Sequence, residues 1–402
     1  MARYFSPISR FYLYRALVAE GFVYPIITIY ALANGISLSM IGLATGSFFL
    51  GTLLGELPTG YLGDRIGRRN SLFVGATLLS VTHIGFAFTE TATAYVGLYA
   101  FWGVAATFRS GSADAWLYDT LATTDATEQF TAYRGRASSI FYASAATTAL
   151  VGGLLYEMAP SLPFLAAAIW TTLGAIVVAT LPEPPVTERD DQFSISQAIA
   201  ALSAIVSNRR LGTFVVLSAL VLAVPETVEI FVQPMMQSMG IQPGLFGPTY
   251  ALLMGAAALG SSQASRLREM IGTGRWFAIG PVVLAGALSI AVVFPVVAIP
   301  VFVFSRGYNT ATETLATTFC NDQLVAHGRA TALSGVSMVY AFVFFGARST
   351  GGLLAAHSSP LLALAGFGVA VLVGVGVIHW RVSPFASAQA HREPTEITRE
   401  QQ

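Results

Sequence analysis

The chain contains no lysine, one cysteine and five histidines in 402 residues, and only 10% of it is charged. Each shortage excludes something. The lone thiol, Cys320, rules out an intrachain disulfide and a thiolate metal cluster, and in an apolar helix it reads as a small core residue. The histidines are scattered, and no H-E-x-x-H run occurs. A membrane-embedded enzyme would need a nucleophile–base pair or metal ligands converging at one depth, and no such set is visible. No P-loop occurs either, so nucleotide-driven transport by this chain is not expected, and no cofactor is called for. Zero net charge leaves no basic footprint for nucleic acid. An ordinary soluble domain carries about 25% charged residues, which this chain does not approach.

What fills the sequence instead is apolar: 54% hydrophobic residues and a mean hydropathy of +0.65. Windows long enough to cross about 30 Å of hydrocarbon recur along the chain. They fall near 9–33, 37–63, 70–89, 93–121, 132–156, 161–181, 210–239, 243–267, 275–296, 298–321, 330–356 and 359–381. These runs are too long and too continuous for the alternating strands of a membrane β-barrel, and lipid offers irregular backbone no partners. The fold class expected is all-α, with twelve transmembrane helices in two six-helix bundles.

Arginine placement sets the topology. Arg3 and Arg10 precede the first span, Arg65, Arg68, Arg69, Arg134, Arg136, Arg189, Arg209, Arg210, Arg266, Arg268, Arg275 and Arg329 lie in alternate loops, and Arg381, Arg392 and Arg399 close the chain. The opposite loops carry no arginine, only Glu90, Glu157 and His357 near their edges. By the positive-inside rule both termini are cytoplasmic. The short polar stretch from Met1 to Arg10 lacks a cleavage site, so the first helix is expected to be retained rather than removed as a signal peptide. The longest polar segment divides residues 1–181 from 210–382 and reads as a cytoplasmic linker over 182–209, partly an amphipathic helix from about Ser194. Residues 383–402 read as a disordered tail.

The halves repeat. Gly35-Ile36-Ser37-Leu38-Ser39-Met40-Ile41-Gly42 recurs as Gly240-Ile241-Gln242-Pro243-Gly244-Leu245-Phe246-Gly247, an offset of 205. The same offset sets Glu269, Ile271 and Gly272 opposite Asp64, Ile66 and Gly67. Internal repetition of this kind describes many transporter folds.

Between the second and third spans stands Gly60-Tyr61-Leu62-Gly63-Asp64-Arg65-Ile66-Gly67-Arg68-Arg69, followed by Leu72. This spacing resembles the loop motif of the major facilitator superfamily, and the hydropathy pattern extends the resemblance over roughly residues 8–382. The resemblance implies that Gly60, Asp64, Arg65, Gly67, Arg68 and Arg69 form a conformational latch. Asp64 would meet the start of the eleventh helix near Arg329 to Ser334, and Arg68 an acid at the end of the fourth, Asp119. Such contacts would hold the cytoplasmic side shut in one state and break in the other.

Charges inside hydrocarbon cost on the order of 2.5–3.5 kcal/mol each and normally face a cavity. Candidates for the substrate and proton pathway are Glu20 in the first span, Arg109 and Asp114 in the fourth, Glu226 and Glu229 in the seventh, and Arg306 and Glu313 in the tenth. Arg15, Glu56 and Arg348 are further intramembrane charges, of which Arg15 reads as a snorkelling residue. The helices that carry most of these charges are those that line the central cavity in the family. Glu226 and Glu229 share one helix face and form a plausible proton carrier; the alternative is a wet outer vestibule. Asp114 either gates Arg109, binds a cationic solute or forms a buried ion pair with it. Arg306 and Glu313 share a face but stand about 10.5 Å apart along the axis. His83 reads as a packing residue. Phe22, Tyr24, Tyr30, Phe231 and Tyr250 read as cavity walls or interfacial anchors, and Gln233 and Asn309 as polar cavity candidates.

The function expected is secondary transport of a small organic solute by alternating access in the cytoplasmic membrane, as a monomer, with proton-coupled efflux favoured. The run Glu56-Leu57-Pro58-Thr59-Gly60 resembles that of multidrug-exporter-like members, and Gly152-Gly153-Leu154 keeps part of the family's antiporter motif. A proton-coupled or facilitated nutrient importer is the alternative.

Overall fold

The computed structural model describes residues 6–185, 203, 207–323, 329–381 and 385, apart from the side chains at 57, 60, 61, 64 and 329–332. Most of the expected linker helix and the tail after 385 lie outside the described residues. Among them the chain is all-helical, with no strand. The helices are α1 (Pro7–Leu17), α2 (Ile27–Ala33), α3 (Leu38–Ile66), α4 (Arg68–Ala87), α5 (Ala92–Ala122), α6 (Phe130–Met158) and α7 (Leu162–Ala179). The second half adds α8 (Arg209–Ser238), α9 (Phe246–Ile271), α10 (Thr273–Val293), α11 (Ala298–Gln323), α12 (Arg329–His357) and α13 (Pro360–Arg381). Eight of these are long and apolar enough to cross a membrane by length and composition. Those that fall short include α5 and α11, which carry Arg109 and Asp114, and Arg306 and Glu313.

The first span departs from expectation. It is not one helix over 9–33 but two, α1 and α2, separated by turns from Val18 to Ile26. Pro25 has no N–H to donate and disfavours the helical conformation in the residue before it. Gly21 stands where any Cβ would run into the carbonyl of Ala145 on α6. Hydropathy averaged over a window does not register such a break, because apart from Glu20 the residues from Val18 to Ile26 carry no charge.

The sequence repeat is visible in the backbone. Gly35 and Gly240 adopt φ of 76° and 74°, and Gly67 and Gly272 adopt 90° and 82°. After α2, Ile36 N–H donates to Ala31 C=O at 3.0 Å, and after α8, Ile241 N–H donates to Met236 C=O at 3.0 Å. Both helices therefore end on the same six-to-one closure with a left-handed glycine one residue earlier. Packing repeats as well: α4 lies against α7 and α10 against α13. Large apolar side chains on these outer helices point away from the bundle, such as Ile169 at 64% and Val373 at 63% exposed. In water that surface would be an aggregation hazard; in a bilayer it is the lipid contact.

The two ends of the bundle differ. At the face bearing the termini, Phe385 packs on Phe214, Phe277 and Phe319, and the Arg10 guanidinium donates to the Thr180 carbonyl. At the opposite face, α3 meets α12 and α6 meets α9 across the two halves. There a Cβ on Gly42 or on Gly352 would lie 2.7 Å from the other's Cα, so the helices touch backbone to backbone. The Glu157 carboxylate on α6 also accepts the Gly244 N–H at 2.8 Å. The face opposite the termini is sealed.

Candidate functional site

Between the halves lies a cavity of about 320 Å³. Its walls come from both halves: Tyr24, Phe48, Phe49, Tyr99, Trp102, Phe141 and Tyr142 from the first, and Glu226, Glu229, Gln233, Tyr250, Arg306 and Arg348 from the second. Two charge centres flank it, one behind the Tyr24 and Trp102 wall and one in the lining itself.

The first uses the break in the opening span. Glu20 sits in the non-helical stretch and is 4% exposed. Its carboxylate accepts from the Arg109 guanidinium at 2.8 Å, Trp102 Nε1 at 3.2 Å and the Tyr24 hydroxyl at 3.0 Å. Arg109 also donates to the Val18 carbonyl at 3.4 Å, a group freed where α1 ends. A buried charge is tolerated when paired and hydrogen-bonded, and Glu20 is both.

The second centre is on the other side of the cavity. One guanidinium nitrogen of Arg348 donates to Glu226 Oε2 at 2.7 Å and Glu229 Oε2 at 2.9 Å. Asn309 completes Glu226 through its amide at 2.8 Å. The Arg348 guanidinium also lies over the Phe49 ring of the first half, 5.0 Å from its centroid, a contact favoured by the ring quadrupole. Gly42, in the sealed face, packs against the backbone carbonyl of this same arginine.

Gln233 links the halves by a third device. Its Oε1 accepts the N–H groups of Thr28 at 2.8 Å and Ile29 at 3.1 Å. Its amide donates to the Tyr24 carbonyl at 2.8 Å and the Tyr250 hydroxyl at 3.0 Å. Thr28 and Ile29 begin α2, whose N-cap residue Ile26 supplies no side-chain bond. A helix start leaves N–H groups without intrahelical partners, and here a side chain from α8 fills that role.

Other expected site residues lie elsewhere. Asp114 does not pair with Arg109; it pairs with Arg134 on α6 at 2.8 Å, and both are half-exposed. The reason is geometric: five residues along a helix turn the two side chains to different faces. Glu313 is exposed and does not line the cavity, whereas Arg306, two turns away on α11, does. Arg348 belongs to the site though no pairing for it was foreseen; its place in an apolar span was the available signal. His83 is fully buried, with its ring 6.0 Å from Trp102. Arg15 lies over Phe141 at 4.9 Å.

The charged loop turns on Gly67, which ends α3 and starts α4 at once. Arg68 Nε stands 4.0 Å from Asp119, which is 6% exposed. Arg69 lies 3.7 Å from Glu183, whose carboxylate also accepts the Arg69 N–H at 3.2 Å. Glu183, at the start of the polar segment, was not foreseen as a partner. The Asp64 side chain lies outside the described residues.

A helical bundle whose halves repeat, enclosing a charged cavity beside a broken helix, is the architecture of a membrane transporter. The Major Facilitator Superfamily profile matches residues 16–347, and the chain belongs to that family. Its curated relatives include the uncharacterized MFS-type transporter YxaM of Bacillus subtilis (strain 168), 22% identical over 253 residues, 61% of this chain and 62% of the relative. Another is the uncharacterized MFS-type transporter MJ1560 of Methanocaldococcus jannaschii, 26% identical over 165 residues, 41% of this chain and 42% of the relative. The match thus spans less than two thirds of these relatives' length. Among solved structures, a mutant of the nucleoside transporter NupG superposes with a TM-score of 0.80 at 15% identity, over 93% of this chain and 100% of that one. A bacterial homolog of the human lysosomal transporter Spinster, inward-facing and occupied, gives 0.77 at 14%, over 95% of this chain and 96% of that one. These likenesses are of fold. The chain is a multi-pass membrane protein of a transporter family, and its helices are expected to lie in a lipid bilayer.

Proposed function

We propose that the protein is a secondary active transporter that moves a small organic solute across the cytoplasmic membrane by alternating access, coupled to protons. In this reading it acts as a monomer, both termini are cytoplasmic, and residues 1–181 and 210–382 move as two units. The observation that carries the coupling is one guanidinium held by two carboxylates: Arg348 between Glu226 and Glu229. Protonating either carboxylate removes one of the two ion pairs that fix Arg348. Arg348 in turn lies on Phe49 and backs the helix contact at Gly42, so loosening it loosens the sealed face. Proton uptake is thereby tied to opening. Export is favoured over uptake by the resemblance of the Glu56–Gly60 run to exporter-like members.

The loop motif takes the role of the opposite latch, with Asp64 engaged when the termini face closes and Arg68, which stands 4.0 Å from Asp119 while the other face is sealed, tightening that contact. Asp64→Asn then shifts the population towards the state sealed away from the termini. Unchanged transport and unchanged accessibility in that variant would remove the latch.

The coupling is tested in proteoliposomes, by comparing pH-driven accumulation of a solute with its counterflow at equal pH. Glu226→Gln with Glu229→Gln is expected to abolish pH-driven accumulation and to leave counterflow measurable. Full pH-driven accumulation in that variant would overturn the proposal.

A further inference from the structure

We propose that the solute is an organic anion with a flat aromatic body, and that Arg306 is its anchor. This rests on taking the central cavity as the solute site. The cavity is lined by two carboxylates, Glu226 and Glu229, and two guanidinium groups, Arg306 and Arg348, so its formal charges cancel. Its hydrogen bonds do not. Arg348 takes one oxygen of each carboxylate and Asn309 the second oxygen of Glu226, so Glu229 keeps one oxygen for other donors. On the other side of the cavity, Glu20 is saturated by three donors.

Arg306 differs from its neighbours. The Nε atoms of Arg109, Arg306 and Arg348 are all buried without a partner, but Arg109 and Arg348 have close ion pairs. Arg306 has no side-chain hydrogen bond or close ion pair among the described residues and feels Glu226 and Glu229 only through space. A guanidinium keeps its charge in any protein setting and carries five donors in a planar fork. That fork matches a carboxylate or a similar planar anion in a two-point contact.

The opposite wall selects the rest of the ligand. Phe48, Phe49, Tyr99, Trp102, Phe141 and Tyr142 present ring surface to the same space. Their faces and edges fit a planar apolar body better than a polyhydroxylated one. At about 320 Å³ the cavity is at the small end of ligand sites, so the solute is of one- or two-ring size. A cationic solute would meet only the one carboxylate oxygen that Glu229 has left, with the Arg306 and Arg348 guanidinium groups repelling it from the same lining.

The test is binding to the purified full-length protein in detergent, read by quenching of tryptophan emission, with Trp102→Phe as the control for signal from the cavity. Three isosteres serve as probes: 2-naphthoate, 2-naphthalenemethanol and 2-naphthylmethylammonium. Saturable quenching by 2-naphthoate is expected, with at least about 30-fold weaker binding of the other two. Arg306→Gln should lower 2-naphthoate affinity by a similar factor and level the preference among the three, while Arg306→Lys keeps the order. Monodispersity and circular dichroism identify a variant that has failed to fold, and in that case the isostere ranking on the wild type decides. Equal affinity for the three probes, preference for the ammonium, or no saturable binding of 2-naphthoate at millimolar concentration would overturn the assignment. None of these outcomes depends on proton coupling or direction, so the transport reading is judged separately by its own assay.

Discussion

Replacing Gln233 by leucine removes a side chain that caps α2 from the other half. Gln233 is 2% exposed and makes hydrogen bonds to Thr28, Ile29, Tyr24 and Tyr250, all at 3.1 Å or less. A hydrogen bond contributes a net ~0.5–1.5 kcal/mol, and a buried donor left without a partner costs ~1–3 kcal/mol. Three of the four partners are backbone groups of the broken first span, which cannot turn away to find others while the face stays sealed. The orphaned groups regain water only when the halves part. Gln233→Leu should therefore favour parting by ~2–4 kcal/mol, a factor of roughly 30 to 700 at ~1.4 kcal/mol per tenfold. Hydrogen exchange of the peptide containing Thr28 and Ile29 reads this directly. Those amides should exchange faster by that factor, while peptides from the α4–α7 packing, where Ser80 donates to the Ala168 carbonyl, keep their protection. Unchanged exchange at Thr28 and Ile29 would show that Gln233 does not hold the break, and the argument from orphaned amides would fail.

Arg109→Leu leaves Glu20 buried without its counter-charge and should lower thermal stability by ~3–5 kcal/mol. Adding Glu20→Gln should restore most of that loss, and a double variant as unstable as the single one would contradict the pairing. Gly352→Leu places a side chain where Gly42 stands 2.7 Å from even a Cβ, so it should prevent the halves from sealing and abolish transport. Retention of wild-type transport rates would contradict the close approach. Asp114→Asn breaks only a half-exposed pair with Arg134, and such pairs contribute about 0–1 kcal/mol. Its melting temperature should stay close to that of the wild type, and a large drop would assign Asp114 a buried role.

The all-helical fold and the repeat could be read from the chain because lipid enforces the first and the turn glycines mark the second. An apolar run long enough to cross must be helical, and Gly35, Gly67, Gly240 and Gly272 mark the same turns in both halves. Glu226, Glu229 and Arg306 line the cavity, and Glu20 pairs with Arg109 behind its Tyr24 and Trp102 wall. The pairings were less legible. Arg109 finds Glu20, 89 residues earlier, rather than Asp114 on its own helix, and a contact between helices leaves no periodic trace in either. The break at Val18–Ile26 was hidden because Gly21 and Pro25 sit within a run that stays apolar on average, and Gln233, which bonds its backbone, lies on α8. Arg348 gave a signal by its charge alone; its partners depend on how α12 rotates against α8.

The proposal that two halves rock about the cavity is tested most directly by spin-label distances at both faces of one protein. With Cys320→Ser, one pair is placed at Met158 and Leu245, which are 75% and 58% exposed on the sealed face, and a second at Thr124 and Glu269, exposed towards the termini. A saturating transported solute or a step in pH should lengthen the first distance and shorten the second together. Both distances moving in the same direction, or neither moving while transport proceeds, would contradict it.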